Sequence, residues 1–223
     1  MQAEDHQIAG HFLGAVAGFY GVLLAFVVVM VWGQFQEATL LVTREANQLG
    51  DLLRLCHGFP QPAQARMRLS LITYSQTVIS QEWPDMAAQR ENAAAWDAIA
   101  NIWAAYHDFH PQTPAEISLY QLSLARLADL SDARRLRLLS ARGKVPGVLW
   151  AVLDGGGAVI ILFTLLFRLR HSLAQTIMTA SMAGLISVIL FLIMDFDRPF
   201  DGAIRVHPEV FERELQRMGV SFK

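Results

Sequence analysis

The sequence predicts an all-α membrane protein with three transmembrane helices and a cytoplasmic helical bundle inserted between the first and the second. Three observations predict it. Hydrophobic residues make up 53% of the 223 and charged residues only 17%, with positive mean hydropathy, an excess over ordinary soluble domains. Three long runs are nearly free of charge: 6–36 and 171–194 hold no Asp, Glu, Lys or Arg, and 145–167 holds only Asp154. The polar stretch between the first two runs keeps helical periodicity almost throughout.

Each run is at least as long as the roughly 20 residues that, at about 1.5 Å rise, cross a hydrocarbon core of about 30 Å. The reading is therefore a first transmembrane helix at 6–36, a cytoplasmic helical domain at 37–144, transmembrane helices at 145–167 and 171–194, and a cytoplasmic C-terminal segment at 195–223. Glu4 and Asp5 stand where a signal peptide needs basic residues, so the first helix is expected to stay in the mature chain. Arg134, Arg135, Arg137, Arg142 and Lys144 precede the second helix, Arg44 follows the first, and Arg198, Arg205, Arg213 and Arg217 follow the third. By the positive-inside rule that side is cytoplasmic and the N-terminus is outside. Only Arg168 and Arg170 argue the other way, while Trp32 and Trp150 suit a headgroup boundary on the cytoplasmic face. A multi-pass membrane protein results, with the lipid bilayer as its first partner. Cys56 is the only cysteine, which excludes an intrachain disulfide.

Within 37–144, apolar residues at Leu41, Val42, Ala46, Leu49, Leu52 and Leu53 continue the first helix until Gly58 and Pro60. A second helix is predicted from Pro62 to Trp83, ended by Pro84, and a third from Asp85 to about His107. In "TPAE" Thr113 caps, Pro114 takes the first helical position and Glu116 completes a capping box, starting a helix that runs to about Arg142. A short amphipathic helix opens at Pro208 and packs on the cytoplasmic domain.

Inside the membrane, Gly10, Gly14, Gly18 and Gly21 form a seam of small residues that lets helices approach closely, within the chain or between subunits. Phe12, Phe19 and Phe26, spaced by seven, occupy another face, as core, as lipid contact or as a dewetting gate. Three helices enclose no pore, so any channel reading requires an oligomer. Asp154 lies near the middle of its span, where an ionised carboxylate costs at least about 2.5 kcal/mol. It either marks an ion or proton path or is solvated by amides freed at Gly155, Gly156 and Gly157, read as a local break in the helix.

On the polar side, His107 and His110 have the spacing of zinc ligands but lack a third. No phosphate loop, nucleophile elbow or zinc-protease helix is present, which disfavours an enzyme. The basic run at Arg134 reads as a topology signal at lipid headgroups, not as a nucleic-acid patch. In "FLIMDFDRPFDG", Asp195, Asp197 and Asp201 follow the third span and Pro199 prevents its straight continuation. This collar is a helix stop, with Arg198 pairing to a nearby aspartate or to Glu45 and with Phe196 and Phe200 anchored at the interface, or a pore-mouth ring.

The succession "GFYGVLLAFVVVMVW", "REANQL", "YSQTVISQEWPDM", "VPGVLWAVL" and "DFDRPFDG" resembles the bacterial bestrophin-like domain family, from about Gly10 to Phe211. That resemblance implies a helical, homo-oligomeric channel for inorganic ions. Bestrophins are pentamers that pass chloride through an axial pore and carry a calcium-sensing acidic cluster after the last membrane helix. By that analogy the three aspartates would hold calcium, a hard cation that takes six to eight oxygen ligands; no other cofactor is expected. Two departures stand out: similar members carry a further hydrophobic helix ahead of this one, and an apolar residue is expected where Asp154 stands. Alternative readings are a non-conducting scaffold or stress sensor that recruits a cytoplasmic partner, and a cation or proton pathway centred on Asp154.

Overall fold

The computed structural model describes residues 2–142, 145–166, 172–217 and 219–220. Lys144, Arg168 and Arg170, read above as topology charges, lie outside them. The described chain is helical. Helix α1 (Gln2–Leu55) runs for 54 residues without a proline and ends in a 3₁₀ turn at Cys56–Gly58. Then come α2 (Ala63–Thr77), α3 (Trp83–Ala87), α4 (Ala93–His107), α5 (Pro114–Ser140), α6 (Gly147–Leu166), α7 (Ser172–Asp197) and α8 (Glu209–Arg217).

Two compact units result, one of Met1–Phe35 with Gly143–Asp197 and one of Gln36–Arg142 with Arg198–Lys223. In the first, α1 turns Tyr20, Leu24, Val27 and Val31 at helical spacing toward Leu153 and Ile160 of α6 and Ile186 and Ile193 of α7. Helices α1, α6 and α7 are long and apolar enough to cross a membrane. Gly155, Gly156 and Gly157 do not break α6, which is continuous through them. They permit close approach instead: a Cβ on Gly156 would come within 2.7 Å of the Tyr20 ring, and one on Gly157 within 3.0 Å of its hydroxyl.

The second unit departs from expectation in its middle. α2 passes through a π-helical stretch at Val78–Glu82 into α3, and the backbone stays helical across the junction with Pro84 directly after the widened turn. Pro84 therefore does not end the helix. α4 begins at Ala93, not Asp85, because Asn92 caps it, its Oδ1 accepting from Ala95 N at 2.8 Å. At α5, Thr113 Oγ1 accepts from Glu116 N at 3.2 Å while Glu116 reaches back to Gln112 N at 2.7 Å. α8 buries Phe211 and Leu215, with Phe211 and Phe200 both edge-on to Trp83.

The basic run before α6 is not a headgroup signal throughout. Arg134 and Arg137 are 2% and 0% exposed inside the second unit, paired with acids. The charges left outside are Arg135 and Arg142, each beside its own carboxylate, Asp132 and Glu91.

Candidate functional site

The face of α1 opposite its packed stripe is bare. Around Gly10, Gly14, Gly18 and Gly21 no side chain lies within 4 Å of where a Cβ would stand. Among the described residues nothing packs directly on the seam, although Gly10 borders a pocket shared with Thr164 and Met178, which leaves a neighbouring subunit or lipid to cover it. Phe12, Phe19 and Phe26 are 56%, 80% and 71% exposed. Phe12 meets Phe163 at 6.0 Å, so it is a lateral contact as well as an open ring.

Tyr20 is the one polar side chain of α1 tied into this unit's core, and the sequence reading passed over it. Its hydroxyl donates to the Leu153 carbonyl oxygen at 2.7 Å, and its ring fills the space that Gly156 and Gly157 leave. A tyrosine and a triple glycine at similar depth on two apolar runs were the available signal. Asp154 is the neighbour of Leu153 but is exposed, and no hydrogen bond or ion pair ties it to another described residue. With α6 unbroken there are no freed amides to solvate it.

The acidic collar separates into different environments. Asp195 and Asp197 are buried, at 5% and 8% exposure, and Asp197 Oδ1 accepts from Val145 N at 3.0 Å. Asp201 is exposed, its carboxylate 4.0 Å from Arg198. Phe196 packs on Trp32 and Phe35, with centroids 5.1 and 5.4 Å away, and Phe200 on Trp83 at 5.5 Å, so both rings are core residues and not interface anchors. Among the described residues no group of three His, Cys, Asp or Glu side chains is placed to hold a metal. His107 packs against Trp103, and His110 Nδ1 donates to the Asp108 carbonyl oxygen at 3.2 Å.

Glu45 is paired, but with Arg137 and not Arg198. Arg137 Nε donates to Glu45 Oε2 at 2.6 Å and its Nη2 to Glu82 Oε2 at 2.5 Å. Arg134 Nη2 donates to Glu82 Oε1 at 2.5 Å, and the Tyr74 hydroxyl donates to Glu45 Oε1 at 2.5 Å. The guanidiniums lie over aromatic rings, Arg134 over Trp96 and Arg137 over Trp83. Burial alone would raise the Glu82 carboxyl, but Arg137 and Arg134 outweigh it and hold the group below its ordinary value. Burial and then Glu45 push the Tyr74 hydroxyl well above the usual phenol range, which keeps it a neutral donor. Burial would lower Arg137, yet Glu45 and Glu82 raise it. The signal for this network was in the sequence: Leu127, Leu130, Arg134 and Arg137 lie on one stripe of α5, and Glu45 lies on the stripe of Leu41, Val42 and Leu49.

Beside this network a pocket of 170 Å³ opens against Trp96, lined also by Met86, Leu138, Leu139, Arg135 and Arg142.

Compared with known proteins, residues 1–211 match the profile of the Bestrophin-like domain. The crystal structure of a bacterial bestrophin homolog from Klebsiella pneumoniae carrying a point mutation superposes with a TM-score of 0.66 at 14% identity, covering 94% of this chain and 87% of that one. At that identity the likeness shows the fold. No curated protein matches.

Proposed function

The chain belongs to the Bestrophin-like domain family, and from that premise we propose that it is the subunit of a homo-oligomeric membrane channel for small anions such as chloride. The family is of ion-channel type and not one of catalytic enzymes. The observation that carries the reading is the bare face of α1. A helix apolar enough to span a bilayer packs one stripe on α6 and α7 and leaves its glycine seam open and the rings of Phe19 and Phe26 largely exposed among the described residues. Small residues favour close helix–helix approach, so copies arranged about an axis would cover that face and bring phenylalanines toward a shared path, where apolar rings gate by dewetting. Five copies are proposed from the family resemblance. In this reading 6–36, 145–167 and 171–194 cross the inner membrane, with 37–144 and 195–223 cytoplasmic. Asp195 and Asp197 then serve as structural acids at the end of α7, and Asp201 with Arg198 as an exposed pair.

A second reading, a cation or proton path, is favoured by Asp154 alone, which is exposed at mid-span with no hydrogen bond to another described residue. Chloride efflux and reversal potentials across a salt gradient, measured in proteoliposomes, separate the two. The channel reading predicts anion-selective leak in the parent and unchanged selectivity in Asp154→Asn. Cation-selective leak lost in that variant supports the Asp154 path, and no leak from a folded oligomer supports a scaffold.

A further inference from the structure

The pocket beside Trp96 takes no part in the channel reading, and its walls are those of a ligand site. Met86, Leu138, Leu139 and Trp96 give it apolar lining, with Trp96 and Leu139 about half exposed. Arg134 stacks 4.2 Å from the centre of the Trp96 ring and fixes it. A volume of 170 Å³ is close to that of the dry cavity known to take benzene, about 150 Å³, and so suits a body of about one six-membered ring.

Arg135 and Arg142 also line the pocket, as do Glu82, whose carboxylate is held by Arg134 and Arg137, and Glu91, which pairs with Arg142. Arg135 and Arg142 are each held by one exposed carboxylate, Asp132 at 2.9 Å and Glu91 at 3.4 Å, which leaves most of the five N–H donors of each to water. Exposed pairs of this kind are weak, and a carboxylate that binds a guanidinium through both oxygens replaces one readily. The rim between α3 and α4 is preorganised. Asp85 accepts from Arg90 Nη2 at 2.8 Å and from Asn92 Nδ2 at 2.6 Å, and Asn92 with Arg90 holds the Asp85 carboxyl below its ordinary value. Between them Gln89 is held at φ 55°, a left-handed conformation that a non-glycine residue adopts at a cost. Such strain concentrates at ligand clamps.

We propose that this pocket binds a small soluble aromatic carboxylate, its ring against Trp96 and its carboxylate on Arg135 and Arg142. The match is of size and of charge: a ring-sized pocket combines apolar lining with two arginines whose carboxylate partners are exposed.

The test uses the full chain in neutral phosphatidylcholine nanodiscs and follows ¹⁹F NMR line broadening of 4-fluorobenzoate. Saturable binding reversed by excess benzoate is expected, with the neutral isostere 4-fluorobenzamide weaker by about tenfold or more. Leu139→Trp, which fills the cavity, and Arg142→Gln, at a side chain 72% exposed, each weaken binding by about tenfold. Leu69→Trp, away from the pocket, leaves affinity unchanged, and thermal midpoints verify that the variants are folded. The proposal is overturned by no saturable binding up to ~10 mM, by parent-like affinity in a folded Leu139→Trp or Arg142→Gln, or by equal binding of the amide. Loss of binding in phosphatidylglycerol discs would assign the pocket to lipid headgroups and overturn the soluble ligand.

Discussion

Tyr20 and Glu45 lie on the same helix, yet one belongs to a unit that leaves its faces open and the other to a unit that closes on itself. Tyr20 spends its hydroxyl on a backbone carbonyl and its ring on two glycines, and around it Phe19, Val22 and Phe26 stay exposed. Glu45 is fully buried and bonded on both oxygens, in a network where Arg137, Glu82 and Arg134 satisfy one another. Water tolerates no such bare apolar faces, whereas lipid or a second copy does. The contrast teaches where each unit finds its remaining stability. The helical unit carries its own, and the apolar unit depends on what surrounds it.

The sharpest way to break the comparison is Arg137→Ala, which strands Glu45 as a buried charge and leaves Glu82 with Arg134 alone. Removing one member of such a network costs about 3–5 kcal/mol, and denaturant unfolding should show it as collapse of the helical unit; a loss under about 1 kcal/mol would mean the network is not what closes that unit. The same network sets a pH dependence. Because the Glu82 carboxyl is held below its reference value of 4.5, its contribution is complete above that pH and is lost as pH falls through the depressed folded value. Unfolding midpoints followed downward from pH 6 should decline in the parent and be flatter in Glu82→Gln.

In the apolar unit the largest effect is expected of Gly156→Leu, whose Cβ would come within 2.7 Å of the Tyr20 ring. Overpacking of that kind costs about 1–3 kcal/mol, read as a lowered thermal midpoint in nanodiscs. Tyr20→Phe keeps the ring and removes one hydrogen bond, with an expected loss of about 1 kcal/mol. If that variant is destabilised more than Gly156→Leu, the contact is polar and not one of fit.

The three apolar runs, the long first helix and the Thr113 cap were legible because their causes are local: hydropathy over about 20 residues, and a cap within one turn. What the sequence hid has partners far along the chain. Glu45 and Arg137 are 92 positions apart, and Tyr20 and Leu153 are 133 apart. A triple glycine reads as a break until the tyrosine that needs it is known. A basic run beside a span reads as topology until two of its members are found on a buried stripe. Pro84 misled for a related reason, since a proline that stops a helix and one carried through it after a widened turn have the same local signature.

The central claim is that copies of the chain cover the bare face of α1, and the direct measurement is the mass of the parent and of Gly14→Leu in lipid nanodiscs. Because nothing among the described residues lies within 4 Å of a Cβ placed at Gly14, a larger side chain has room to start there, and leucine should leave helix content unchanged. The account predicts a parent oligomer, five copies by family resemblance, and a Gly14→Leu protein shifted to smaller species. A parent that runs at the 24.9 kDa of one chain, or a Gly14→Leu oligomer indistinguishable in mass and thermal stability from the parent, would contradict it.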